Sequence, residues 1–162
     1  MRYRRERGMM RLDPNPANAC FGCGGANARG MKLAFEQDFG TRRIRGLMRL
    51  GPEYQGGAGF IHGGIIATLL DEAMGKVARF RQVHAVTAEL KIEYLKPVRV
   101  DQDLVIEAYE VEKSGRNLHF TGEIRDREGM VLARGQGRFV ALRESRAAEE
   151  NAPDQPAGNQ VS

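Results

Sequence analysis

The alternation of apolar and polar positions divides the chain into several strands and one helix. The clearest alternation runs over Thr87–Tyr94, where apolar side chains share one face and Thr87 lies with charged residues on the other. Ser114-Gly115 and Glu128-Gly129 are typical of turns between antiparallel strands. Less regular patterns predict further strands over Met31–Asp38, Thr41–Leu50, Leu104–Val111, Leu118–Arg125 and Met130–Leu142.

The segment Gly63–Ala78 is instead apolar at nearly every position around a helix, which is typical of a buried helix. Antiparallel strands with one polar face need an apolar cover on the other face. We therefore predict an α+β fold in which about five or six antiparallel strands wrap around one long central helix.

The ends of the chain differ from this body in composition. Residues 1–30 carry arginines, prolines and glycines, and we expect an irregular basic arm that leads into a Cys-containing turn. Residues 31–142 form the predicted domain. Residues 143–162 are polar, contain two prolines and lack aromatic residues, so we expect a disordered tail.

The net charge of +4 over 162 residues arises from the first eleven positions, because the remainder has equal numbers of basic and acidic groups. A nucleic-acid-binding domain would spread positive charge over a folded face, so we expect no nucleic-acid partner. Apolar stretches are only a few residues long, far short of the ~20 that span a membrane. The N-terminus also lacks the apolar centre of a secretory signal, and a cytoplasmic protein is the default expectation.

Cys20 and Cys23 form a single Cys-x-x-Cys motif, Cys-Phe-Gly-Cys-Gly. A zinc site needs four ligands, and neither a second such motif nor a nearby pair of histidines is present. We interpret the motif as a structural turn with two reduced thiols and predict no metal and no cofactor. A zinc ion shared between subunits is the alternative.

Five glycines precede or begin the predicted helix within Gly56–Gly64. Gly63 and Gly64 leave their amide N–H groups uncovered at the positive end of the helix dipole. Such amides can bind a carbonyl oxygen as it gains negative charge during a reaction.

Asp71 lies about two turns inside this apolar helix. An unpaired carboxylate is costly to bury, so packing alone does not account for it. Either Asp71 acts in chemistry, or Asp71 or Glu72 points outward or pairs with a cation. Of the two we expect Glu72 to be the exposed one.

Gly63 and Asp71 are eight residues apart, which corresponds to about 12 Å along a helix axis. A reacting carbonyl must lie ~3 Å from its amide donor and within reach of the base. If both residues are catalytic, Gly63 of one chain must therefore act with Asp71 of another. This predicts a site shared across a twofold interface.

His62-Gly63-Gly64 followed seven residues later by Asp71-Glu72-Ala73-Met74-Gly75 resembles the signature of hotdog-fold acyl-CoA thioesterases of the phenylacetate-degradation (PaaI-like) group. The strand Thr87–Pro97 and the Cys-Phe-Gly-Cys-Gly motif extend the resemblance over roughly residues 20–142. It implies a hotdog fold and hydrolysis of an acyl-CoA substrate by a homodimer or a dimer of dimers.

The resemblance also implies roles for individual residues. Asp71 would activate water or attack the thioester, Gly63 would donate its N–H to the carbonyl, and Thr87 would orient the water. His62 would support the loop before the helix.

This chain departs from many relatives at Gly56, where they carry an asparagine. We expect Gln55 to take over contact with the acyl carbonyl or water. Gly64 is a second candidate amide donor, and Arg116 is a candidate for the phosphates of coenzyme A or a solvated turn residue.

Two other functions remain open at this stage. One is a hotdog hydratase or dehydratase that acts on enoyl thioesters through a histidine paired with an acid. The other is a non-catalytic acyl-CoA-binding or regulatory protein, which would bind ligand without turnover. The acyl-group specificity does not follow from the sequence.

Overall fold

A computed structural model describes residues 8–142 and contains, within that range, one antiparallel sheet of seven strands. The strands lie in the order β1-β2-β3-β5-β6-β7-β4, so that β1 and β4 are the two edges. Their bounds are Met9–Leu12 (β1), Phe35–Asp38 (β2), Arg43–Arg49 (β3), Ala85–Tyr94 (β4), Asp103–Ser114 (β5), Asn117–Arg125 (β6) and Val131–Ala141 (β7).

The long helix α1 spans Gly63–Val77 and packs against β3, β4, β5, β6 and β7 of the sheet. A short 3-10 helix, Ala78–Arg81, extends it, and another, Pro52–Tyr54, precedes it. The core consists of inward side chains of the sheet and one face of α1, on which the buried residues are Ile66, Leu69, Leu70, Ala73, Met74 and Val77. Burying each large apolar side chain contributes about 1.5–3 kcal/mol.

The predicted architecture of one helix against an antiparallel sheet is confirmed, and the helix begins at the predicted residue. The expectation that residues 1–30 are irregular is wrong at β1, which pairs with β2 and raises the strand number to seven. Met9-Met10-Arg11-Leu12 lacks an alternating pattern, so its pairing depends on β2 rather than on a signal of its own. The predicted tail, residues 143–162, lies outside the described residues, as do residues 1–7.

The prediction that α1 is covered on all sides is wrong for the single chain. Its second face is only half-buried, and Gly64 is exposed. The edge strand β4, which pairs with β7, also exposes apolar side chains: Val86 is 49%, Leu90 37% and Tyr94 56% accessible. The apolar pattern of the sequence therefore includes surface that one copy of the chain leaves uncovered.

The orientation of Thr87 also differs from the simple alternation. Thr87 pairs with Phe139 and Glu89 pairs with Arg138, so Ala88 is an extra residue in a β-bulge. Because Phe139 is buried, Thr87 faces the helix together with Leu90 and Tyr94 rather than the polar side of the strand. Period-two counting assigned Thr87 to the wrong face because it cannot detect an inserted residue.

No helix within residues 8–142 combines the length and the apolar character that crossing a bilayer requires.

Candidate active site

The N-terminus of α1 is capped by His62. The backbone of His62 is extended, and its Nδ1 accepts a hydrogen bond of 2.9 Å from the Gly64 N–H. The Gly64 N–H, which the sequence suggested as a second amide donor, is therefore already hydrogen-bonded. The Gly63 N–H has no hydrogen-bond acceptor in the part of the chain that the structure describes. Gly63 is therefore the amide that is free to bind an incoming oxygen.

The loop before the cap is held by its own backbone and by Gln55. The Gln55 side-chain oxygen accepts a 2.9 Å hydrogen bond from the Gly59 N–H, and the Gln55 backbone pairs with Ile61. A Cβ on Gly56 would lie 3.0 Å from the Cα of His62, so a larger residue there would require the loop and the cap to move apart by a few tenths of an ångström. The structure thus gives Gln55 a loop-forming contact and places Gly56 close against the cap.

Asp71 and Thr87 are brought together across the space between α1 and β4. The Thr87 hydroxyl donates a 2.7 Å hydrogen bond to Oδ1 of Asp71, which fixes the orientation of the carboxylate. Partial burial raises the pKa of Asp71 above its ordinary value; the Thr87 hydrogen bond lowers it, and the nearby charge of Glu72 raises it. A carboxylate with a raised pKa is a stronger base once it has lost its proton.

Tyr94 is a residue of this region that sequence reasoning did not select. Its hydroxyl donates a 3.0 Å hydrogen bond to the carbonyl of Gly63, and its ring lies beside the first turn of α1. The sequence assigned Tyr94 to the apolar face of its strand. The phenol at the end of that face was the available signal, because a tyrosine joins an apolar ring to a hydroxyl that can form a hydrogen bond.

These residues form two groups rather than one. His62, Gly63 and Tyr94 surround the start of α1, whereas Asp71 lies eight residues further along the helix, where Thr87 of β4 contacts it. At 1.5 Å per residue the two groups are about 12 Å apart along the axis.

Arg116 lies at the tip of the β5–β6 hairpin and is exposed. Its carbonyl accepts a hydrogen bond from the Ala141 N–H, and Ala141 pairs with Ala85 at the start of β4. Arg116 is therefore at the same end of the sheet as Thr87, but it makes no contact with Asp71 or Thr87.

The opposite flank of α1 is covered by the Cys-containing loop. Cys20 donates from its Sγ to Glu72 at 3.2 Å, and the Lys76 ammonium lies 2.9 Å from Sγ of Cys23. The expectation that Glu72 is exposed is wrong, since only 16% of its side chain is accessible. Cys20 is 52 residues earlier in the chain, so no local pattern could show that its thiol covers Glu72. The only metal-ligand cluster among residues 8–142 consists of Cys20, Cys23 and Glu72.

The sequence of this chain is similar to a family model and to the sequences of known proteins. A family model described as "Thioesterase superfamily" matches residues 58–133. "Acyl-coenzyme A thioesterase 13" of Homo sapiens is 31% identical over 93 residues, which cover 55% of this chain and 66% of that protein. "Acyl-coenzyme A thioesterase THEM4" of Xenopus laevis is 31% identical over 91 residues, which cover 56% of this chain and 41% of that protein. The chain thus spans less than half the length of the Xenopus protein.

A crystal structure of a thioesterase superfamily protein has the same fold. It superposes with a TM-score of 0.70 at 29% identity, over 75% of this chain and 60% of the other. The overlap includes most of the residues that the structure describes.

Proposed function

The chain belongs to the thioesterase superfamily, and from that premise we propose that it hydrolyses an acyl-coenzyme A thioester to the free acid and coenzyme A. The observation that carries the proposal is the hydrogen bond from Thr87 of β4 to Asp71 of α1, the helix that begins with the free Gly63 amide. The family model spans residues 58–133, which include Gly63, Asp71 and Thr87, and proteins named acyl-coenzyme A thioesterases are 31% identical to this chain over 91 and 93 residues.

In the proposed reaction, Asp71 acts as a general base. Thr87 holds Oδ1 of the carboxylate, so the other oxygen can accept a proton from water. The water oxygen forms a bond to the carbonyl carbon of the thioester, and the C–S bond then breaks. A thiol has a pKa near 8.5, so the thiolate leaves with little help and takes up a proton afterwards.

The Gly63 amide stabilises the negative charge that develops on the carbonyl oxygen. It lies at the positive end of α1 and needs no rearrangement to donate. His62 keeps the helix start in place by capping Gly64, and Tyr94 fixes the Gly63 carbonyl on the other side of the same residue. Neither contact involves the Gly63 N–H, so both can orient this amide and leave it free to donate.

The site is shared between two copies of the chain. The two groups of residues are about 12 Å apart on one helix, too far for a single carbonyl to contact both. The half-exposed face of α1 and the apolar side chains of edge strand β4 provide a surface for a second copy. A twofold arrangement repeats the site twice per dimer.

The function is tested by following thiol release from acyl-CoA substrates of different chain length. We expect turnover by the wild-type chain and a loss of about 10²–10⁴-fold in Asp71→Asn, the range that a general base supplies. Glu128→Gln, at an exposed carboxylate in the β6–β7 turn, is the matched control and should keep full activity. Saturable binding without thiol release would instead indicate a binding protein, and water addition to an enoyl thioester would indicate a hydratase.

The shared site is tested by mixing two inactive chains. Asp71→Ala removes the base, and Gly63→Pro removes the amide donor. A mixed dimer contains one site in which both defects meet and one in which neither is present, so about half of the wild-type activity per mixed dimer should return. Activity that stays absent after confirmed co-assembly would rule out the shared site while leaving the hydrolase assignment intact.

A further inference from the structure

The Cys-containing loop and α1 bring three metal-binding side chains together. The Sγ atoms of Cys20 and Cys23 and a carboxylate oxygen of Glu72 all lie within 4.8 Å of one another. In a tetrahedral zinc site, with Zn–S near 2.3 Å and Zn–O near 2.0–2.2 Å, neighbouring ligand atoms are about 3.5–3.8 Å apart. The three donors are therefore close to the spacing that one ion requires.

The charges at this position are balanced when a zinc ion is bound. The Lys76 ammonium lies 2.9 Å from Sγ of Cys23 and 3.7 Å from the Glu72 carboxylate, so a positive group already occupies the cluster. Two thiolates and one carboxylate carry three negative charges. A zinc ion together with Lys76 carries three positive charges, which leaves this partly buried group neutral.

The loop holds its cysteines in place through backbone contacts. The Gly24 N–H donates to the carbonyl of Cys20 at 2.9 Å, and the Gly22 carbonyl accepts from the Leu33 N–H at 2.9 Å. A Cβ on Gly22 would lie 2.4 Å from Oε1 of Glu72, so the glycine allows the carboxylate to approach the cysteines. The donors thus come from two preformed segments rather than from free chain.

We propose that Cys20, Cys23 and Glu72 bind one zinc ion that fastens the loop to α1. Thiolates favour zinc over magnesium or calcium, and solvent completes the four ligands. Binding releases the two thiol protons to solvent and changes no oxidation state. The sequence pointed away from a metal because it offered only two ligands close together, and the structure supplies the third.

The proposal is tested with the full chain, reduced, stripped of metal and titrated with Co²⁺ as a spectroscopic probe. We expect one ion per chain and a near-ultraviolet thiolate-to-cobalt band, with Zn²⁺ displacing the probe. Cys20→Ser and Cys23→Ser should each lose at least half of the band. Glu72→Gln should weaken zinc binding at least about tenfold, since even second-layer partners of metal ligands cost 10–100-fold. Glu128→Gln should bind as the wild-type chain does.

A second measurement needs no variant. The chain has only two cysteines, so zinc should protect both from alkylation, and mass spectrometry should find two adducts with chelator and none with zinc. The proposal is overturned if zinc gives no protection, if no thiolate band forms, or if Glu72→Gln binds zinc unchanged. A Cys20–Cys23 disulfide in place of metal in freshly purified protein would also overturn it, in favour of a redox pair.

Discussion

Asp71 and Glu72 are adjacent in sequence yet lie on flanks of α1 with different surroundings. We use "open flank" for Gly63, Asp71, Thr87 and Tyr94, and "covered flank" for Cys20, Cys23, Glu72 and Lys76. On the open flank, Asp71 has a hydroxyl as its partner, next to an edge strand with exposed apolar side chains. On the covered flank, Glu72 is enclosed by a loop and paired with an ammonium and a thiol.

The difference between these neighbours is one of partners rather than of burial. Both carboxylates are withdrawn from solvent, but only Glu72 has a cation beside it. A carboxylate without a counter-charge costs stability and is typical of a reactive site, whereas removing a paired carboxylate leaves its cation uncompensated. We therefore expect the open flank to govern turnover and the covered flank to govern stability.

After Asp71→Asn, the largest effect that would separate the flanks is expected from Gly63→Pro. Proline is favoured at the first position of a helix, and the extended backbone of His62 suits the residue before it, so the fold should persist without the N–H. Turnover should fall about 10²–10³-fold, as for loss of one oxyanion donor. Gly63→Ala keeps the N–H and its Cβ fits 3.4 Å from Tyr94, so thiol release should stay within about tenfold of wild type.

The second prediction concerns the free energy of unfolding rather than turnover. With chelator present, Glu72→Ala should lose about 1–3 kcal/mol of unfolding free energy, because Lys76 then lacks its carboxylate partner. Asp71→Asn should lose none: burial raises the folded-state pKa of Asp71, so its ionised form opposes folding at neutral pH. Urea unfolding of both variants measures this. Equal losses of unfolding free energy in the two variants would show that the covered flank does not contribute more to stability than the open flank.

A smaller effect concerns pH. The hydrogen bond from Thr87 lowers the pKa of Asp71 against the larger effect of burial. Thr87→Val removes it, so the acid limb of the kcat/KM profile should move to higher pH, while Thr87→Ser should keep the limb in place. Profiles recorded with chelator present measure the shift. A limb that moves to lower pH would show that Thr87 acts otherwise than through this hydrogen bond.

The smallest expected effect is that of Tyr94→Phe, which removes the hydrogen bond to the Gly63 carbonyl and keeps the ring. A bond worth about 0.5–1.5 kcal/mol corresponds to a roughly two- to tenfold loss of kcat/KM. Tyr109→Phe, on the exposed surface of β5, is the matched control and should have no effect. Wild-type kinetics in Tyr94→Phe would show that the Tyr94 hydroxyl does not contribute to turnover.

The helix and the main strands could be predicted from the sequence because their signals are local. The apolar run after His62-Gly63 gave the start of α1, and the alternation over Thr87–Tyr94 gave β4. Strand β1 was missed because four residues without alternation carry no such signal, and it forms only by pairing with β2.

The candidate site could be predicted in part. The expectation that Asp71 acts together with Thr87 remains a prediction, but the structure brings these two residues into contact. The environment of Glu72 could not be predicted, because Cys20 and Cys23 reach it only in the folded chain. The exposed apolar side of β4 shows a further limit: an apolar pattern in a sequence does not say whether those side chains are buried within the single chain.

The bulge at Ala88 shifts the alternation of inward and outward side chains along β4 by one residue. Uninterrupted pairing would place the Ala88 methyl group opposite Phe139 and turn the Thr87 hydroxyl to the outer side of the sheet. Deleting Ala88 should therefore leave a regular strand in which Thr87 still faces Asp71. When related chains are aligned over β4, the inward-facing positions before and after the bulge have to be assigned separately.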